Sequence, residues 1–165
     1  MLEFITEEMR VFLLSLLPVS EIRGAMIYAF SAGLTTSFIR FMETFLISVI
    51  GNFLPVPFII LLFRPIIKWL QKTKFFGRFA SWLENRARKK AAEFKSVSMW
   101  ALFIFVAIPF PTTGAWTGAM IAALFDIRFR YSLPAILAGI VVAGIVVSLL
   151  SAGVLNLGAL NNIFL

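Results

Sequence analysis

The chain contains no cysteine and no histidine. These absences exclude disulfides, thiol chemistry, haem attachment and histidine-based metal sites. Acidic residues are also scarce, with 8 Asp and Glu against 15 Lys and Arg, which gives a formal net charge of +7. No nucleophile–base pair, set of metal ligands or phosphate-binding loop can be read from the sequence. We therefore expect a protein that is not an enzyme and that needs no cofactor and no metal.

Apolar residues, in contrast, are abundant. They make up 61% of the chain, and the mean hydropathy is +0.96, whereas soluble domains are nearer 45–50% apolar. Four apolar stretches reach or exceed the ~20 residues that span a bilayer as a helix, and they cover residues 11–33, 41–63, 99–125 and 133–160. The sequence therefore predicts an all-α integral membrane protein, with residues 1–165 forming a single membrane domain.

Ten of the 15 basic residues fall within residues 64–95, where only Glu84 and Glu93 oppose them. Nucleic-acid binding is one interpretation of such a run, but in a membrane protein it is typical of a cytoplasmic loop. Its aromatic residues recur at helical spacing, which predicts an amphipathic linker helix lying on the anionic inner leaflet. The predicted lipid-surface residues are Arg78, Trp82, Arg88, Lys89 and Lys90.

A phrase occurs twice in the chain. Residues 17–27 read LPVSEIRGAMI and residues 108–121 read IPFPTTGAWTGAMI, so that an apolar run breaks at proline, passes a polar segment and resumes with Gly-Ala-Met-Ile. We call residues 17–24 the first tip and residues 108–118 the second tip, with helix breaks predicted at Pro18, Pro109 and Pro111. Broken helices are tolerated in a bilayer only where they are buried in protein or line a cavity. Their occurrence at matching places in two halves indicates a transport site.

Two topologies fit the pattern. If all four apolar stretches span the membrane, both termini are cytoplasmic, with 11 basic residues inside and 3 outside. If the first and third stretches are re-entrant hairpins, both termini face outward, with 12 basic residues inside and 2 outside. The short helices predicted at residues 5–17, 21–32, 96–108 and 114–125 favour hairpins. The chain would then be an inverted repeat of a re-entrant hairpin plus a transmembrane helix, with residues 1–63 and 96–165 as the repeats and residues 64–95 as the cytoplasmic linker.

The first tip carries the charges. Glu21 and Arg23 would each cost ~2.5–3.5 kcal/mol within a bilayer, and such residues mark a functional site by default. They are two positions apart and do not share a helix face, so we expect them to bind different partners or a ligand between them. The alternative is a structural charge pair that pins the tip. Glu21 is also a candidate proton carrier, because apolar surroundings favour the neutral form of a carboxyl group.

The second tip is uncharged. We expect Thr112 or Thr113 to cap the following helix, as Ser20 would cap its counterpart. If two helix N-termini meet beside Arg23, an anion is the natural occupant. Asn52 either lines the same cavity or bonds to a carbonyl freed by nearby prolines. The candidate substrate and coupling residues are Glu21, Arg23, Asn52, Thr112, Thr113, Gly114, Trp116 and Thr117.

Small residues at helical spacing predict close helix packing. Gly24, Gly118 and Ala122 are the principal candidates, and Ala25, Ala29 and Gly33 form a similar stripe in the first half.

The strings IPFPTTGAWTGAMIAAL and SEIRGAMIYAFSAG resemble the small multidrug export protein family of prokaryotic membrane proteins. The resemblance covers nearly the whole chain. It includes Glu21, Arg23 and Gly24 in the first tip, although a proline that often follows this block in the family is absent here. The paired hairpins are also similar to DedA-type proteins, which are linked to the movement of lipid-phosphate carriers. The family resemblance implies a multi-pass protein of the prokaryotic cytoplasmic membrane.

Three functions remain open at this point. The first is a small-molecule transporter, proton-coupled in one version, with its site at the membrane midplane between the two hairpins. A DedA-like lipid-phosphate translocase would use the same residues. A non-transporting scaffold would bind anionic lipid through the linker. With 165 residues, a transporter is expected to form a homodimer. Membrane lipids are the other expected partners.

Overall fold

The computed structural model describes residues 6–72, 81, 82, 85, 99–110 and 113–161. Within these residues the regular structure is helical and contains no strand, so the all-α prediction is confirmed. Seven helices have described bounds: α1 Glu7–Leu16, α2 Glu21–Ser31, α3 Phe38–Phe53, α4 Pro55–Gln71, α5 Met99–Ala107, α6 Ala115–Leu124 and α7 Phe129–Asn161.

The helix breaks occur at the two tips. Leu17 is extended, with φ −71° and ψ 139°, because the following proline ring disfavours the helical conformation. The second break separates α5 from α6 in the same way, at Pro109. Helices of 9–11 residues are only ~14–17 Å long, against a hydrocarbon core of ~30 Å. Within the described residues, the first and third apolar stretches therefore contain no helix that could cross a bilayer alone.

In the part of the chain that the structure describes, two segments are long and apolar enough to cross, Phe38–Phe63 and Phe129–Val154. The first runs from α3 into α4 through Leu54, which keeps helical dihedrals and whose N–H donates to the Ile50 carbonyl at 2.9 Å. Helix α4 continues to Gln71, so the start of the predicted linker is helical. Trp82 is helical and 53% exposed, whereas the four basic lipid-surface residues, Arg78, Arg88, Lys89 and Lys90, lie outside the described residues.

The two halves interlock. Helix α1 packs on α2 and α3, and α5 packs on α6 and α7. The second short helix of each half also packs on the long helix of the other half, α2 on α7 and α6 on α4. The larger apolar core contains buried side chains from both halves, such as Ile22, Met26, Leu102 and Ile136. A smaller one, of Val11, Ala25 and Ala29, lies within the first half.

Two glycines make equivalent contacts in the two halves. A Cβ on Gly51 would lie 2.9 Å from the Phe12 carbonyl oxygen, and one on Gly139 would lie 3.0 Å from that of Phe103. The equivalence extends to the next turn of each short helix. The Cβ on Gly51 would also meet the side chain of Ser15, and the one on Gly139 would meet that of Val106. Each half thus packs its first short helix against its long helix at the same point, and glycine permits the approach.

Gly33 has a different role from the packing one expected of it. No atom lies within 4 Å of a Cβ built there, and its φ is 70°. The N–H of Leu34 donates to the Ala29 carbonyl at 2.9 Å, which is the hydrogen bond that closes a helix at a left-handed glycine. The packing prediction for Gly33 was wrong; this glycine ends α2, whereas Ala25 and Ala29 are fully buried.

Candidate functional site

The carboxylate of Glu21, in the first tip, caps the helix of the second tip. Its Oε2 accepts a hydrogen bond from the backbone N–H of Ala115 at 3.4 Å, and its Oε1 accepts one from that of Trp116 at 3.3 Å. These N–H groups belong to the first turn of α6, where a helix provides no acceptor of its own. Because that end also carries partial positive charge, it favours a carboxylate.

Arg23 binds on the opposite side of the same break. Its Nη1 donates to the Phe110 carbonyl, and its Nη2 donates to the Ile108 carbonyl at 3.2 Å. These acceptors follow the C-terminus of α5, where carbonyl groups lack intrahelical partners and the helix dipole favours a cation. No ion pair joins Glu21 to Arg23 among the described residues. The two charges therefore have different partners, one on each side of the break.

Trp116 makes the reciprocal contact from the second tip to the first half. Its indole Nε1 donates to the carbonyl of Leu16, the last residue of α1, at 3.2 Å. Each tip thus supplies donors to the carbonyl end of the other half's first helix.

The hydroxyl groups of the tips that the structure describes, those of Ser20, Thr113 and Thr117, bind carbonyls and do not cap helices. Ser20 donates to the Leu14 carbonyl, and Thr113 donates to that of Ile108 at 2.8 Å. Neither α2 nor α6 receives a side-chain cap from the residue before it. The capping prediction was wrong for Ser20 and Thr113, because the freed carbonyls take their hydroxyl protons and Glu21 occupies the N-terminus of α6. Thr112, the alternative cap, lies outside the described residues.

Space for the carboxylate depends on Gly114. A Cβ at this position would overlap the Glu21 carboxylate. The backbone of Gly114 is extended, with φ 163°, a conformation that any residue can adopt. Glycine is needed here because of the space that the carboxylate takes, and not because of the backbone conformation. Glu21 itself has φ 51°, a left-handed conformation that costs an L-residue ~1–2 kcal/mol. Such strain persists where surrounding contacts fix it, and it clusters at functional sites.

A pocket of about 330 Å³ lies between the tips. Its charged lining residues are Glu21, which is only 6% exposed, and Arg23, which is partly buried. The other lining residues are Pro18, Val19, Ser20, Gly24, Thr113 and Thr117. The arrangement places one carboxylate and one guanidinium beside hydroxyl groups in an otherwise apolar part of the molecule.

A family model described as "Putative small multi-drug export protein" matches residues 21–146. The matched region is well over half of the chain and contains Glu21, Arg23 and the whole second tip. The chain belongs to this family. No curated protein and no solved structure matches it. Together with the two apolar helices, membership of the small multidrug export family indicates a membrane location.

In this member of the small multidrug export family, most of the predicted site residues with described positions meet at the tips. Glu21, Arg23, Thr113 and Thr117 line the pocket. Gly114 and Trp116 do not line it but lie against the Glu21 carboxylate. Asn52 does not line it either. It is buried on α3, and neither its amide nitrogen nor its amide oxygen has a hydrogen-bond partner. The alternative in which Asn52 bonds to a freed carbonyl is therefore not observed. Pro111 lies outside the described residues.

The predicted packing residues lie close to neighbouring atoms. A Cβ on Gly118 would lie 2.6 Å from Cγ2 of Val106, on the neighbouring helix α5, and Ala122 is fully buried. Gly24 differs, because its near neighbour is the Ser20 side chain within the same tip. Gly24 thus shapes the tip, whereas Gly118 and Ala122 pack between helices.

Two contacts were not anticipated from the sequence, the capping of α6 by Glu21 and the indole bond of Trp116. Both join residues more than 90 positions apart. One feature of the sequence bears on these contacts. The second tip has a helix break but no charged residue to bind its free backbone groups, whereas the first tip has two charged residues. This mismatch indicates that the two tips meet, but it does not indicate which backbone groups the charges bind.

Proposed function

We propose that this protein is a small integral membrane transporter whose substrate site is the pocket between the two tips, at the membrane midplane. The observation that supports this most is the placement of Glu21 and Arg23 on opposite sides of the break between α5 and α6, both lining one pocket. Broken helices whose ends face a shared site are the usual means by which small transporters hold polar cargo.

The membrane arrangement that we propose is an inverted repeat with re-entrant hairpins. The α1–α2 hairpin would enter and leave the membrane from the outside, and the α5–α6 hairpin from the cytoplasm. The segments Phe38–Phe63 and Phe129–Val154 would cross the membrane between the two sides. The basic linker then lies in the cytoplasm of a prokaryotic cell and both termini lie outside. The test is the accessibility of a terminal cysteine tag to an impermeant maleimide in intact cells. Labelling only after the cells are lysed would refute this topology.

The contacts of Glu21 suggest how a proton would be coupled to transport. When ionised, the carboxylate holds the N–H groups of Ala115 and Trp116 and balances the charge of Arg23. When protonated, it no longer holds them as an anion, and the pocket carries a net positive charge. A substrate anion would then bind the α6 N-terminus and Arg23 in place of the carboxylate. We therefore propose that an anion and a proton share this site.

The family's description names multi-drug export, and cationic drugs are one class of such cargo. They fit the pocket less well, because a cation would have to approach Glu21 beside Arg23. A lipid-phosphate carrier is the second candidate cargo, and it requires apolar surface continuous with the pocket. A scaffold function would depend on the cations of residues 64–95 and not on the tips. For transport, we expect a homodimer to enclose the pathway.

The deciding experiment replaces each charge separately in purified protein reconstituted into liposomes. Uptake of an amphiphilic anionic dye, anilinonaphthalene sulfonate, and of a cationic one, ethidium, would be followed with and without a pH gradient. Glu21→Gln should abolish the response of uptake to the pH gradient, and Arg23→Gln should abolish uptake of the anion. Glu43→Gln is the control, because Glu43 is an exposed partner of Arg40 away from the pocket. Wild-type uptake by both tip variants would refute the transport proposal.

A scaffold would give the opposite result. Replacing the linker cations should then impair binding to anionic vesicles, while the tip variants behave as wild type. Transport that survives the linker replacements would contradict the scaffold function.

A further inference from the structure

Two apolar grooves flank the pocket between the tips. The first groove, of about 510 Å³, lies between α2 and α7, with side chains of Ile27 and Leu150 on its walls. The second groove, of about 440 Å³, lies between α4 and α6, with Leu62 and Met120 on its walls. Each groove runs along a short helix of one half and the long helix of the other half.

The grooves are equivalents in the two halves of the chain. Four residues of α7 line the first groove. Each of them lies 88 positions after a residue of α4 that lines the second groove. The pairs are Ile59 and Val147, Leu62 and Leu150, Phe63 and Ser151, and Ile66 and Val154. The same spacing relates Gly51 to Gly139, which make equivalent contacts with the short helices. The relation between the grooves therefore follows from the repeat itself.

The lining of each groove includes a donor of one tip and a residue near the end of the other half's first helix. In the first groove these are Arg23 and Pro109, and in the second they are Trp116 and Leu16. Arg23 also lines the polar pocket, so polar and apolar surfaces meet at its side chain. Its Nη atoms bind carbonyl groups, but its Nε is buried and has no partner. This N–H is available to an oxygen atom of a bound anion.

From these features we infer that the substrate is an amphiphile with one anionic head group and a hydrocarbon chain. The head group occupies the pocket beside Arg23, and the chain lies in one of the two grooves. This inference rests on the proposed function, because an inverted repeat places equivalent grooves in opposite leaflets. The head group then crosses between the tips, while the chain leaves the groove of one leaflet and enters that of the other. Two cargoes have this chemistry, a lipid phosphate and an acidic amphiphilic drug.

The test fills each groove with a bulky side chain. Leu150→Trp narrows the first groove and Leu62→Trp narrows the second. Leu149→Trp and Leu61→Trp are matched controls, since each is the adjacent leucine on the same helix, is 61–69% exposed and lies outside the groove. Size-exclusion chromatography and circular dichroism would establish that all four variants fold.

Translocation would be measured in liposomes with a fluorescent hexadecyl phosphate, and its exposure in each leaflet would be read by dithionite quenching. We expect each groove variant to lower the rate by about tenfold or more, equivalent to about 1.4 kcal/mol of barrier, and each control to stay within about twofold of wild type. Methyl phosphate, which has the head group without the chain, should not be transported. Equal rates for groove variants and controls, or rapid transport of methyl phosphate, would overturn the inference.

The outcomes separate this inference from the proposed function. If Arg23→Gln abolishes transport while the groove variants transport normally, the pocket is the site and the grooves are not. If neither set of variants changes transport, both proposals fail. A fluorescent alkyl sulfonate and a prenyl phosphate, run in parallel, distinguish a drug-like cargo from a lipid phosphate by which of them the protein moves faster.

Discussion

Replacing Gly114 by alanine tests the contact on which the site depends. The new methyl group would occupy the position of the Glu21 carboxylate, which must then leave the N–H groups of Ala115 and Trp116. Loss of a helix cap costs ~0.5–2 kcal/mol. Because the backbone at Gly114 is extended and suits alanine, we expect a destabilisation of ~1–2 kcal/mol that comes from this contact.

A double-mutant cycle isolates the contact. Glu21→Ala alone removes the same cap, so it should also cost ~1–2 kcal/mol. In the double variant the cap can be lost only once, and the two changes should therefore be non-additive by ~1–2 kcal/mol. The free energy of unfolding would be measured by circular dichroism in mixed micelles with increasing dodecyl sulfate. Gly153→Ala is the control, because no atom lies within 4 Å of a Cβ there.

Additive effects in the cycle would refute the reasoning, because they would mean that Gly114 and Glu21 stabilise the protein independently. A Gly114→Ala variant as stable as the Gly153→Ala control would refute it as well.

Three further predictions concern other contacts. Arg23→Lys keeps the charge but loses the planar set of donors, so we expect transport of the anionic dye to fall by about tenfold, against complete loss in Arg23→Gln. Gly51→Ala and Gly139→Ala should each lower the free energy of unfolding by ~1–3 kcal/mol through overpacking, and a variant as stable as Gly153→Ala would contradict the equivalence of the halves. Tyr28→Phe removes a hydroxyl that donates to Glu7 at 2.5 Å and should cost ~1 kcal/mol in the same unfolding assay, with transport unchanged.

Much of the local structure could be predicted from the sequence. Proline positions located both helix breaks, since proline disfavours helix in the preceding residue. Apolar length alone indicated four stretches that could span, and the proline breaks in two of them left the other two as the long helices. The repeated Gly-Ala-Met-Ile phrase identified two related halves. The ends were less well predicted: α4 runs beyond residue 63 to Gln71, and the N-terminus of α6 is capped by a residue of the other half.

The partners of the charged residues could not be predicted. Glu21 and Arg23 were recognisable as costly charges in apolar sequence, but their partners are backbone groups of residues about 90 positions away. Backbone N–H and C=O groups occur at every residue, so the sequence carries no mark of which ones a folded chain leaves free. Only the positions of the helix ends determine that.

The sequence by itself determined that this is a helical membrane protein of two related halves, and that of the two tips only the first carries charged residues. It did so because hydropathy, proline geometry and repetition are local properties. The tertiary structure alone decided that each tip completes the other, with Glu21 and Arg23 binding the two ends of the second break and Trp116 binding the end of the first helix. The physical reason is that a broken helix leaves donors and acceptors without intrahelical partners, and packing decides which side chains are near enough to satisfy them.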